Sequence, residues 1–79
     1  MKVGYDPRYN IAYIALQTGE TEVETISLSD LVNVDLAPDG SVFGIELMNA
    51  NEQLGLNGDA EVLFQNEANG RTSAATFTA

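Results

Sequence analysis

The 79-residue sequence contains no cysteine, no histidine and no tryptophan, and only three of its residues are lysine or arginine. Without cysteine, neither a disulfide nor a thiolate–metal site can stabilise the fold. The joint absence of cysteine and histidine also removes the commonest nucleophiles, general bases and zinc ligands. The phosphate-binding pattern GxxxxGK[ST] and the dinucleotide-binding pattern GxGxxG are missing as well. These absences argue against most familiar classes of enzyme and cofactor, so we expect no catalytic residue and no cofactor.

The few basic residues face twelve acidic ones, which gives a formal net charge of −9. Nucleic acids and anionic membranes are therefore disfavoured as partners, because three scattered cations cannot neutralise them. An acidic surface suits solubility and attraction to a basic protein. The first ten residues lack the apolar segment of a signal peptide, and no apolar run reaches membrane-spanning length. We expect a cytoplasmic, soluble protein.

The length predicts a single domain, 1–79, with a core over residues 1–54 and a C-terminal extension over residues 55–79. A domain of this size buries only about 60% of its unfolded surface, so its stability is marginal. A small domain without disulfides or metals needs a well-made sheet or a partner subunit. We therefore expect a protein partner or a homodimer.

The clearest local pattern is a β-hairpin over residues 31–47. Its two alternating apolar segments flank Ala37-Pro38-Asp39-Gly40, where proline pre-sets φ, aspartate can bond the backbone and glycine tolerates positive φ. The alternation places Val32, Val34 and Leu36 on one face of the first strand, and Phe43, Ile45 and Leu47 on one face of the second. Gly44, in the middle of the second strand, indicates a bulge or the close approach of another group.

Three further strands are predicted before this hairpin, over residues 2–5, 11–16 and 20–27. The second of them is apolar on both faces, which is typical of an interior strand. After the hairpin, Asn49 and Glu52 resemble a capping box, and Gly55 would end a single helical turn. The predicted fold class is α+β, mainly β: a small antiparallel β-meander of four to five strands with a short helical segment after the last hairpin.

Two interpretations of the C-terminal extension stay open. Ala60, Leu63 and Phe64 fit helical spacing, and Asn69-Gly70 would cap a helix over residues 60–69, while a strand over residues 61–65 fits nearly as well. We place the helix slightly ahead. The last nine residues are predicted to be a loose tail, or else an added strand carrying Ala75 and Phe77.

Asp35 and Glu46 are the carboxylates most suited to form a site, because both point away from the apolar side of the hairpin. As cross-strand or diagonal neighbours, they could be a general acid/base pair or a divalent-cation site. The simpler interpretation is a solvated sheet face, so both remain weak metal-site candidates. Asp39 lacks the ligand spacing of a calcium loop and is better explained by the turn.

Two other patterns have both a structural and a binding interpretation. Glu20, Glu22 and Glu24 form an acidic strip that could meet a basic protein surface, although such strips are usually solvated edges. Tyr5, Tyr9 and Tyr13 recur at every fourth residue. Because Pro7 disfavours a helix there, we assign two of the tyrosines to strands and one to a turn, with packing in the core or in a dimer as their role.

The order of several short motifs resembles a family of small bacterial proteins known as domain of unknown function 2283. The motifs are Tyr5-Asp6-Pro7, Tyr13-Ile14-Ala15-Leu16, the aspartate-rich turn at Asp39-Gly40, Gly44-Ile45-Glu46-Leu47 and Asn49-Ala50-Asn51. The resemblance covers about residues 1–54. It departs from the family pattern at Arg8 and Asn10, where acidic residues are usual, and at Ala15, where a charged residue is common.

The resemblance implies a small antiparallel meander with one short helical element, and it implies no assigned function and no catalytic residues. From the residues we expect a non-enzymatic binding or interaction module, of which one concrete form is a regulatory or antitoxin-like partner of a basic protein. The alternative is a divalent-cation site or minimal enzyme that uses Asp35 and Glu46.

Overall fold

The computed structural model describes residues 1–56 and 60–77. Over these two ranges the chain forms seven strands and one short helix. In chain order they are β1 Lys2–Asp6, β2 Ile11–Ala15, β3 Glu24–Ser29, β4 Val32–Leu36, β5 Val42–Met48, α1 Ala50–Gln53, β6 Ala60–Gln65 and β7 Thr72–Phe77.

The first five strands form one antiparallel sheet in the order β1-β2-β5-β4-β3. β1 and β2 are a hairpin, and β3, β4 and β5 follow one another in space as in sequence. The last of these strands then pairs with β2, so β5 lies at the centre of the sheet. The predicted fold class, mainly β with a small antiparallel sheet and a short helix, is confirmed.

The turn between β4 and β5 has the chemistry that its sequence predicts. The Gly40 N–H donates to the Ala37 carbonyl at 2.9 Å, and Gly40 has a φ of 88°. The Asp39 carboxylate accepts bonds from the Ser41 N–H at 2.9 Å and from the Ser41 hydroxyl at 2.6 Å. These local bonds lower the pKa of Asp39, with the Ser41 hydroxyl as the largest cause. Asp39 is therefore a turn residue in this fold.

The strand register sorts the side chains onto two faces, because residues directly opposite one another in an antiparallel pair share a face. One of these we call the apolar face, because apolar and aromatic residues fill it except at its edge, where Glu24 lies opposite Leu36. Nine apolar or aromatic residues in regular register define it, namely Val3, Tyr5, Ala12, Ile14, Ile26, Val32, Val34, Ile45 and Leu47.

The third strand begins later than its sequence predicts. The expected strand over residues 20–27 is found as β3, which starts at Glu24, so Glu20 and Glu22 precede the sheet. The pairing of β3 with β4 shifts register between Ser27 and Ser29. Such a bulge on an edge strand discourages pairing with another sheet.

Helix α1 is a single turn whose start differs from a capping box. Asn49, at the N-cap, has a φ of 51° and makes no side-chain bond to the helix backbone. Its amide Nδ2 instead donates to the Glu52 carboxylate at 2.8 Å. Gly55, with a φ of 67°, follows the last turn as predicted.

The helix favoured for residues 60–69 is wrong, and the loose tail is wrong over residues 72–77. These segments form β6 and β7, which pair in a separate antiparallel hairpin. The Asn69-Gly70 signal belongs to the connecting turn, where the Gly70 N–H donates to the Asn66 carbonyl at 2.8 Å and Gly70 has a φ of 72°. Threonines in β7 and Val62 in β6 favour strands, since β-branched residues fit a pleated surface. The sequence Asn57-Gly58-Asp59, which is typical of a turn, lies outside the described residues.

In the parts of the chain that the structure describes, no helix has the length and apolar character needed to cross a membrane.

Candidate functional site

The sheet face opposite the apolar face carries both predicted site residues. Asn33 pairs with Glu46, and Asp35 pairs with Gly44, so Asp35 and Glu46 are diagonal neighbours on adjacent strands. Tyr13 of β2 pairs directly with Glu46. We call Tyr13, Thr25, Asn33, Asp35 and Glu46 the carboxylate cluster.

Each carboxylate of this cluster accepts hydrogen bonds from neighbouring strands. The Tyr13 hydroxyl donates to Oδ2 of Asp35 at 2.7 Å, and the Thr25 hydroxyl donates to Oδ1 at 2.6 Å. The Asn33 amide donates to Oε1 of Glu46 at 3.0 Å. Bonds to an ionised acceptor are stronger than neutral ones, so these contacts hold β2, β3, β4 and β5 together on this face.

Gly44 is what allows Tyr13 to reach Asp35. The Tyr13 ring lies directly over Gly44, and a Cβ built on this glycine would overlap the phenol ring and its oxygen. The Tyr13 ring covers Gly44, which is buried. The close approach that the sequence predicts at this position is therefore made by Tyr13.

The environment of Tyr13 favours its protonated form. Desolvation by burial, the hydrogen bond to Asp35 and the negative charges of Asp35 and Glu46 together raise the pKa of Tyr13 to about 12. A neutral phenol between two carboxylates acts as a hydrogen-bond donor at ordinary pH.

Hydrogen bonds within the cluster already use part of the coordination capacity of its two carboxylates. Both oxygens of Asp35 already accept a hydroxyl bond. Across residues 1–56 and 60–77, no group of three or more acidic, histidine or cysteine side chains is placed to hold a metal ion. The cluster works best as a structural network that fixes four strands in register.

The apolar face has a different character, because its side chains are incompletely covered. Within the described residues, the buried ones are Ala12, Gly44 and Ala50, so no side chain larger than that of alanine is buried. Val3 is 48% exposed and Ile26 is 38% exposed, and the other large side chains of this face are half-buried. Small soluble domains normally enclose such a surface, and an exposed apolar patch marks a binding site.

One end of the apolar face opens into a groove of about 290 Å³. The lining residues from the sheet and its N-terminal end are Met1, Val3, Tyr5 and Ile14, and those from the segment after β5 are Leu54, Leu56, Val62 and the acidic Glu61. The C-terminal hairpin thus flanks the β1 end of the apolar face. α1 contacts β2 and β5.

A second polar network, centred on Asn10, was missed by the sequence analysis. The Asn10 amide Nδ2 donates to Asn49 Oδ1 at 3.1 Å and to Asn51 Oδ1 at 2.8 Å. The Asn10 Oδ1 accepts a bond from the Asn51 N–H at 2.9 Å and another from the Tyr5 hydroxyl at 3.1 Å. The Asn10 carbonyl accepts from the Ala50 N–H at 3.0 Å. Asn10 has a φ of 55°, a conformation that asparagine tolerates better than most residues. The signal available in the sequence for this network was the presence of three asparagines, Asn10, Asn49 and Asn51, close to predicted strand ends.

The remaining tyrosine and the first turn are exposed. Tyr9 is 71% exposed, with the Arg8 guanidinium 5.6 Å from the ring centroid. Arg8 also forms an ion pair with Asp6 at 2.9 Å, and its side chain is the largest cause of the lowered pKa of Asp6. As predicted, Tyr5 and Tyr13 lie in strands and Tyr9 in a turn.

The five-stranded sheet, the carboxylate cluster and the Asn10 network lie within the segment that a family model matches. The model describes a protein of unknown function (DUF2283), and it matches residues 2–51, which is more than half of the chain. The chain belongs to this family. The matched segment contains the whole five-stranded sheet and the start of α1, so DUF2283 describes the sheet and its two faces, while β6 and β7 lie beyond it. No curated protein and no solved structure matches the chain.

Proposed function

We propose that this DUF2283 protein is a non-enzymatic interaction module that binds a protein surface with its apolar face. The observation that carries the proposal is the incomplete cover of that face, on which no side chain larger than Ala12 is buried in the described residues. Burial of apolar area is the main favourable contribution to protein association. A sheet face of this kind gains free energy when a second protein covers it.

The charge of the chain favours a basic partner for the remaining surface. Glu20, Glu22 and Glu24 are exposed at the start of β3, at the edge of the sheet. Complementary charge at the rim of an interface raises association rates and selects partners. A regulatory or antitoxin-like role, in which the protein neutralises a basic protein, is the finer form of the proposal.

Photo-crosslinking in the cell tests this proposal position by position. A photoreactive residue at Ile26 would lie on the apolar face, and one at the neighbouring Ser27 would lie on the opposite face of the same strand. We expect protein adducts from Ile26 and not from Ser27. Absence of an adduct at Ile26, or equal adducts at both positions, would contradict the proposal.

The finer proposal has its own position. A photoreactive residue at Glu22 is expected to capture a basic protein, because this residue is exposed and belongs to the acidic strip. If Glu22 captures nothing, or captures only acidic proteins, the antitoxin-like role fails while the role of the apolar face is untouched.

The alternative function, a divalent-cation site or minimal enzyme at Asp35 and Glu46, has one observation in its favour, since the two carboxylates share a face. The hydroxyl bonds from Tyr13 and Thr25 count against it, because they compete with a cation for the lone pairs of the Asp35 oxygens. The interaction module is therefore the better-supported proposal.

A further inference from the structure

We propose that the partner on the apolar face is a second copy of this chain, so that two five-stranded sheets pack face to face in a homodimer. This inference rests on the proposed function and names the occupant of the same surface. Two sheets packed in this way lie about 10 Å apart, with their strands rotated by about 30°. The contact would be isologous, with the same residues contributed by both copies.

The surface area of the chain is the first argument. A compact monomer of this mass, 8.5 kDa, is expected to expose about 4,700 Å². The chain exposes 5859 Å², which exceeds that expectation by about 1,200 Å². A standard interface buries about 800 Å² on each partner. The excess is therefore large enough for each copy to bury one complete interface.

The distribution of charge is the second argument. Two copies that each carry a net charge of −9 repel one another wherever their carboxylates meet. In the described strands, Glu24 at the outer edge is the one charged residue on the apolar face, whereas Lys2, Asp6, Asp35 and Glu46 lie on the opposite face. Face-to-face packing therefore places the uncharged middle of each sheet together and keeps Asp6, Asp35 and Glu46 of both copies outside.

The C-terminal hairpin is the third argument. An isolated two-stranded hairpin is at best marginally stable in water. Leu63 is 63% exposed and Phe64 is 48% exposed, so β6 presents apolar side chains to solvent on both of its faces. Val62, on the same face of β6 as Phe64, lines the groove beside Val3 and Ile14. The apolar surface therefore continues from the sheet onto the hairpin, and a second copy would cover part of both.

Sedimentation equilibrium of the purified full chain tests the dimer directly. We expect twice the monomer mass, and we expect raising the salt from about 50 mM to about 500 mM to tighten the association, because salt screens the repulsion between like-charged copies. Contacts with a basic protein would respond in the opposite direction. Weakening by salt would overturn the proposal, since charge attraction would then drive the association.

A pair of matched variants identifies the surface. Ile26→Lys places a charge on the apolar face, and Ser27→Lys places the same charge on the opposite face of the same edge strand. We expect Ile26→Lys to raise the dissociation constant of the dimer at least about tenfold, because an unpaired charge is costly to bury. Ser27→Lys is expected to leave it unchanged. Equal effects of the two substitutions would overturn the assignment of the face.

Circular dichroism of each variant shows whether the sheet persists. Should Ile26→Lys unfold the chain, Val3→Lys on the opposite edge strand of the same face replaces it, with the same expected loss of dimer. A wild-type chain that stays monomeric in both salts overturns the homodimer. If the Ile26 crosslinker then captures a different protein, the proposed function stands without the homodimer. If it captures nothing, both fail.

Discussion

The two faces of the five-stranded sheet differ in how far the chain itself provides contacts for their side chains. On the face that carries the carboxylate cluster, Asp35 and Glu46 accept hydrogen bonds from side chains on other strands of the same sheet. On the apolar face, no comparable cover exists, and Val3 and Ile26 remain more than one third exposed. The comparison shows that the chain itself supplies hydrogen-bond partners for the carboxylates of one face, whereas it leaves the apolar side chains of the other face partly exposed. Four experiments can break or sharpen this contrast.

The largest effect is expected from Gly44→Ala, on the face that carries the carboxylate cluster. The new Cβ would overlap the Tyr13 ring. If the ring moves away, the Tyr13 hydroxyl also loses its hydrogen bond to Asp35. We expect a loss of about 2–3 kcal/mol in the free energy of unfolding, measured by urea denaturation. Gly4→Ala is the matched control, because Gly4 lies opposite Tyr13 with open space around it. It is expected to change stability by less than about 0.5 kcal/mol. Equal costs at both glycines would show that the Tyr13 contact is unimportant.

A smaller effect is expected from Ile45→Ala on the apolar face. Truncation of a fully packed isoleucine costs about 2–5 kcal/mol, and a half-buried one loses less transfer free energy. We expect about 1.5 kcal/mol in dilute protein, with a larger cost at high protein concentration, where a partner copy would cover the site. Chemical denaturation at two concentrations measures both values. A full cost that does not depend on concentration would mean that the face is already packed within one chain.

Removal of the Tyr13 hydroxyl tests the polar network and its pH dependence. Tyr13→Phe is expected to cost about 1 kcal/mol at neutral pH, because Asp35 loses a donor. The pKa of Tyr13 rises from 10.0 to about 12 in the folded protein, so the folded state holds this proton more tightly than the unfolded state. The stabilisation is present below pH 10.0 and is lost as the pH rises towards about 12. The difference between wild type and Tyr13→Phe should therefore shrink over that range.

Tyr9→Phe is the control for this experiment, because Tyr9 is exposed and lies outside the cluster. It is expected to change neither the stability nor its alkaline pH dependence. A gap between wild type and Tyr13→Phe that stays constant up to strongly alkaline pH would contradict the raised pKa.

The smallest effect is expected from divalent cations. A cation at ten times its dissociation constant would stabilise the native state by about 1.4 kcal/mol and would raise the Tm by about 6–11 °C. We expect millimolar calcium, magnesium or manganese to shift the Tm by less than about 1 °C, since Tyr13 and Thr25 already occupy both oxygens of Asp35. A larger shift that disappears in Asp35→Asn would restore the cation site.

Local chemistry explains which parts of the fold the sequence predicts. The Pro38-Asp39-Gly40 turn joins β4 to β5, and alternation within each strand decides which of its residues share a face. The pairing also shifts register between Asp35 and Leu36, so the diagonal placement of Asp35 and Glu46 depends on this irregularity as well as on the turn. The short helical turn after β5 was likewise marked by Gly55.

Contacts across the sheet were beyond local patterns. The bond between Tyr13 and Asp35 depends on β2 pairing with β5, and nothing within β2 specifies its neighbour. The Asn10 network likewise joins residues 39 and 41 positions apart. In the C-terminal extension, Ala60, Leu63 and Phe64 satisfy helical spacing, yet the turn chemistry of Asn66 and Gly70 closes a hairpin instead.

The strand order also has a consequence for the speed of folding. The β1–β2 hairpin and the β3–β4–β5 unit can each form from contacts close in sequence, but the pairing of β2 with β5 must close a loop that contains two whole strands. Closing such a loop costs entropy before any contact compensates for it, and non-local pairing slows folding. The hydrogen bonds of Asn10 to Asn49 and Asn51 can form only after β2 has paired with β5. We therefore expect these bonds to form late in folding, so that their removal would speed unfolding and change the rate of folding little.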